Sequence, residues 1–87
     1  MRRVYKYPVP VAMEFTLEIP VNAEVLTVQT QGGVGSIWIL VDPDAPVVQR
    51  RFRVVLTGRE APPWHYVGTF QLDGGAMVLH LFEECVA

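Results

Sequence analysis

Apolar and polar residues alternate with a period of two along almost the whole chain, the pattern of half-buried β-strands. Met13-Glu14-Phe15-Thr16-Leu17-Glu18-Ile19 is the clearest case, with Met13, Phe15, Leu17 and Ile19 predicted inward and Glu14, Thr16 and Glu18 in water. Arg3 to Tyr7 reads as a short first strand, closed by Pro8 and Pro10, which have no amide hydrogen to give a ladder. A turn at Pro20-Val21-Asn22-Ala23 leads to a strand from Glu24 to Gln31, with Leu26 and Val28 inward. Gln31-Gly32-Gly33 supplies a tight hairpin turn, because glycine takes positive φ without steric cost. Val47 to Thr57 places Phe52, Val54 and Leu56 on one face and Gln49, Arg51 and Arg53 on the other.

Two segments break the alternation. Ser36 to Val41 and Ala76 to Glu83 are apolar on both faces, so each is read as a central strand. The second belongs to a hairpin, Trp64 to Leu72 and Ala76 to Glu83, joined near Asp73-Gly74. Asp42 to Pro46 is a turn, and Gly58 to Pro63 is the one real loop. Seven prolines and seven glycines punctuate the chain at strand-like intervals and leave no room for a helix. The expectation is a single all-β domain over residues 1–87, six or seven antiparallel strands in a small barrel or sandwich.

Composition adds a tension. A domain of 87 residues buries only about 60–65% of its unfolded surface. Yet 51% of this chain is hydrophobic and only 18% is charged. Excess apolar surface on a small domain marks an interface, so a homo-oligomer is expected, with Trp38, Leu40, Val78 and Phe82 at its contact. No apolar run approaches the ~20 residues of a membrane span, and no apolar segment follows Met1-Arg2-Arg3 as a signal peptide requires. One cysteine, Cys85, rules out an internal disulfide and suits a reducing cytoplasm. A net charge of −2 argues against nucleic-acid binding, sequence-specific binding included.

Catalytic chemistry finds little purchase. His65, His80 and Cys85 are not in any zinc-ligand spacing, so neither metal nor cofactor is expected. Ser36, the only serine, follows a hairpin turn instead of sitting on a strand-to-helix elbow. Gly32-Gly33-Val34-Gly35-Ser36 lacks the Lys-Ser/Thr ending of a phosphate loop. The sequence thus points to a binding protein and not to an enzyme.

The candidate binding residues are Arg51, Arg53, Trp64, His65, Tyr66 and His80. Arg51 and Arg53 project side by side and can hold a small anionic ligand through forked hydrogen bonds. They can equally pair across the sheet with Glu14 or Glu18. Trp64-His65-Tyr66 adds flat rings, which suit a nucleobase as well as a protein hot spot. His80 lies inside an apolar run, as a structural histidine or as a pocket residue.

Lys6-Tyr7-Pro8, Glu18-Ile19-Pro20, Ala23 to Gln29, Leu40 to Pro46, Arg51-Phe52-Arg53, Thr57-Gly58, Tyr66 to Gln71, Gly74-Gly75 and His80 to Glu83 resemble a family of small uncharacterised proteins encoded by bacteriophages and prophages. Where that family carries a glycine-histidine pair after Thr57-Gly58, this chain has Arg59-Glu60, so no loop histidine is carried over. The resemblance implies a counter-defence role in the host bacterial cytoplasm, with a host protein such as a CRISPR effector as partner. A sponge for a nucleotide immune signal and a virion accessory protein are the alternatives it leaves open.

Overall fold

A computed structural model describes residues 1–10 and 12–85. Seven strands follow one another: β1 (Arg3–Pro8), β2 (Glu14–Pro20), β3 (Glu24–Gln31), β4 (Val34–Val41), β5 (Val47–Leu56), β6 (His65–Leu72) and β7 (Met77–Glu83). All pairs are antiparallel. They form a three-stranded sheet, β1-β4-β3, packed on a four-stranded sheet, β2-β5-β7-β6. The fold is a sandwich and not a closed barrel. β4 and β7, the segments apolar on both faces, lie inside their sheets and not at the edges.

The two sheets converge where edge strand β3 meets edge strand β6. Thr30 Oγ1 donates to the Gln71 carbonyl there. Gly68 makes the approach possible, since a Cβ at that position would stand 2.9 Å from Val28 Cγ1. The core between the sheets is built on Ile19, Ile37, Ile39, Val41, Phe52 and Leu81, all fully buried. Phe15 stacks on Phe52 with ring centroids 5.3 Å apart.

Turn chemistry matches the strands it joins. Gly32 and Gly33 both have positive φ, 58° and 78°, as a two-residue type I′ hairpin requires. The β6–β7 connection is a tight turn, Asp73–Gly75, left-handed at all three residues, with φ of 54°, 63° and 94°. Only glycine and short polar side chains tolerate this conformation.

Two inward assignments from the alternation are corrected. Leu26 is 44% exposed because β3 carries a bulge between Val25 and Thr27. The extra residue shifts the inward set to Val25 and Val28, a spacing of three that simple alternation cannot produce. Met13 is 71% exposed, because β2 begins one residue later and Met13 lies at the open end of the sandwich. None of the described residues forms a helix long and apolar enough to cross a membrane.

Candidate binding face

β5, β7 and β6 lie side by side, so their outward side chains form one continuous surface. The register aligns Arg53 with Phe82 and Phe82 with Tyr66, and it aligns Val55 with His80 and His80 with Thr69. Trp64, just before β6, lies against the same surface: the Arg53 guanidinium carbon stands 4.5 Å from its ring centroid and that of Arg51 5.9 Å. Tyr66 packs edge-on to Phe82, centroids 5.6 Å apart. Five of the six predicted binding residues therefore share one face. His65 is the exception: it is exposed and pairs in register with inward-facing Glu83, so it points away from its neighbours Trp64 and Tyr66.

The arginines are already engaged. Arg53 donates through Nη2 to Glu14 Oε2 at 2.9 Å, and Arg51 Nε lies 3.5 Å from Glu14 Oε1. Arg51 Nη1 also pairs with Glu84 Oε2 at 3.2 Å. Glu18 makes neither contact, since β2 places it opposite Gln49. Two carboxylates thus balance two guanidiniums in a half-exposed network. Each pair contributes less than about 1 kcal/mol. Its effect is to hold both guanidiniums within 5.9 Å of the Trp64 ring centroid.

His80 closes a hydrogen-bonded row across the same face. Its Nε2 lies 2.8 Å from Thr57 Oγ1 and its Nδ1 2.9 Å from Thr69 Oγ1. Thr69 Oγ1 in turn lies 2.5 Å from the Tyr66 hydroxyl. Hydroxyls both donate and accept, so the row satisfies either tautomer of the imidazole. It fixes the Tyr66 ring in place beside Phe82. Ser36, by contrast, is buried and donates to the Val34 carbonyl at 3.3 Å, a structural hydroxyl. Cys85 is a free, exposed thiol.

Trp38 and Leu40 do not join this surface. They lie on the outer side of the three-stranded sheet, whereas Val78 and Phe82 lie on the outer side of the four-stranded one. The four residues expected at a single oligomer contact occupy opposite faces of the sandwich.

Two features had no place in the sequence reading. Arg50 faces inward and donates through Nη2 to Glu83 Oε1 at 2.8 Å, through Nε to Glu83 Oε2, and through Nη1 to the Ala23 carbonyl. The signal was in the alternation: Arg50 shares parity with Phe52 and Val54, and Glu83 with Leu79 and Leu81. At the opposite end, an open cavity of about 260 Å³ lies between the sheets, lined by apolar residues that include Val9, Met13, Val34, Leu56, Phe70 and Met77.

The architecture defines a seven-stranded antiparallel β-sandwich carrying an aromatic–arginine face. Residues 1–86 match the family model described as "Domain of unknown function (DUF7352)", and the chain belongs to that family. No curated protein and no solved structure matches it.

Proposed function

We propose that the protein is a non-enzymatic binding domain that engages a protein partner through the outer face of its four-stranded sheet. The observation that carries this reading is the stack of Arg53 on Trp64 beside the Tyr66–Phe82 pair. Tryptophan, tyrosine and arginine are the residues that dominate protein–protein hot spots. Here Glu14 tethers Arg53 and the Thr57–His80–Thr69–Tyr66 row tethers Tyr66, which lowers the side-chain entropy lost on binding. A recess of about 250 Å³ formed by Arg53 and Glu60 to Pro63 adjoins the stack and offers a seat for one partner side chain.

The partner class, a host defence protein met in the bacterial cytoplasm, rests on the phage resemblance alone. A nucleotide sponge is less well supported, because Glu14 and Glu84 already occupy the arginines that would hold a phosphate. Affinity capture from host lysate tests the reading with the wild type and with Trp64→Ala/Tyr66→Ala. A stoichiometric partner held by the first and lost by the second supports it. Equal recovery by both, or no partner with either, refutes it.

A further inference from the structure

The outer face of the three-stranded sheet is apolar at its centre and oppositely charged at two diagonal corners. Along β4, Trp38 and Leu40 point outward, half-buried. Val4 on β1 sits opposite Leu40 and is 54% exposed, and the bulge turns Leu26 on β3 into solvent. Lys6 is opposite Trp38 on the β1 side, and Glu24 is opposite Leu40 on the β3 side. A cation and a carboxylate thus stand at opposite ends of a diagonal that crosses the apolar patch.

We infer that this face pairs with the same face of a second copy, Trp38, Leu40, Val4 and Leu26 forming the apolar contact and Lys6 of each copy meeting Glu24 of the other. The geometry is self-complementary. A two-fold axis lying in the interface, perpendicular to the Lys6–Glu24 diagonal, carries each charge onto its opposite and creates two equivalent ion pairs. The strands of the two copies then cross steeply, the orthogonal mode of sheet packing. Lys6 now donates to Gln31 Oε1 at 2.7 Å, a neutral partner that leaves two ammonium hydrogens for a carboxylate. Glu24 makes no ion pair among the described residues. The Cα extents of the molecule are 39 × 31 × 17 Å. A standard interface covers about 800 Å² per partner, less than one broad side of the whole molecule.

The pairing accounts for two things that the monomer leaves unexplained: an exposed leucine produced by a bulge, and a central strand apolar on its outer side. It is independent of the proposed partner face, which points the other way and stays open in the dimer. The dimer would present two such faces.

Charge reversal tests it. Light scattering at micromolar concentration should give a dimer for the wild type and a monomer for Lys6→Glu and for Glu24→Lys, each weakened at least tenfold. Mixing the two variants should restore a dimer, because every contact in the mixed pair is again Glu against Lys. The double variant Lys6→Glu/Glu24→Lys should dimerise like the wild type. Leu26→Lys, at an exposed position where folding is not at stake, should also be monomeric. A monomeric wild type, single variants that stay dimeric, or a mixture that stays monomeric would each overturn the proposal. None of these outcomes bears on capture through Trp64 and Tyr66.

Discussion

Arg50 lays its guanidinium fork along the carboxylate of Glu83, in the interior of the sandwich where β5 meets the end of β7. The side chains are only 20% and 11% exposed, and the remaining arginine donor reaches the Ala23 carbonyl. A pair this deep differs from the half-exposed Glu14 network, because losing one partner strands a charge with little water to solvate it.

Arg50→Met should therefore destabilise the fold by about 3 kcal/mol, and Glu83→Leu by a similar amount. The double substitution should recover most of that loss, since two apolar side chains leave no orphaned charge. Urea unfolding monitored by tryptophan fluorescence reads all three.

Gly35 faces the core, and a Cβ there would lie 2.7 Å from Phe70 Cε2 and 3.3 Å from Val9 Cβ. Gly35→Ala forces the phenyl ring aside, at a cost of about 1–3 kcal/mol. Because Phe70 also lines the apolar cavity, the ring has space to move toward it, and the cost should fall at the lower end. A larger loss in thermal melting would mean that the cavity cannot accept the ring.

Tyr7 carries a pH signature. Its hydroxyl is held above its ordinary 10.0 by burial against the core and, secondarily, by the Tyr5 charge. The folded state then keeps a proton that the unfolded chain releases. Stability from this group is full below pH 10 and falls as pH rises from there through the folded pKa. Tyr7→Phe should flatten that alkaline loss, which denaturant melts between pH 9 and 11 would detect.

Thr69→Val should remove the Oγ1 that meets both His80 and Tyr66, costing about 1–2 kcal/mol of stability. It should also loosen the Tyr66 ring, visible as averaged ring resonances in NMR spectra. Partner binding should weaken without being abolished, because the Arg53–Trp64 stack does not depend on Thr69.

Much of this was legible in the chain. Alternation located the strands, and segments apolar on both sides marked β4 and β7 as central, because side-chain parity in a strand is a local property. The Arg51, Arg53, Trp64, Tyr66 and His80 face followed from parity within β5, β6 and β7 once their adjacency was known. That adjacency depends on strand order, which no local pattern encodes. The Leu26 bulge escaped for a related reason: one inserted residue breaks the parity between Val28, which keeps its inward side, and Leu26, and nothing in Glu24 to Gln31 marks where it occurs. Arg50 escaped because the reading of the basic strand singled out Arg51 and Arg53, although Arg50 has the parity of Phe52 and Val54 in the core. Choosing Glu14 over Glu18 as arginine partner required the β2–β5 register.

The central claim, that the Trp64–Arg53–Tyr66 face is where a partner docks, is tested most directly by site-specific photocrosslinking. A photoreactive phenylalanine analogue is placed at Tyr66 and, as a control, at Gln29 on the opposite sheet, and each is irradiated in host lysate. One discrete protein crosslinked from position 66 and absent from position 29 is the predicted result. No adduct from position 66, or the same adducts from both positions, would contradict the account.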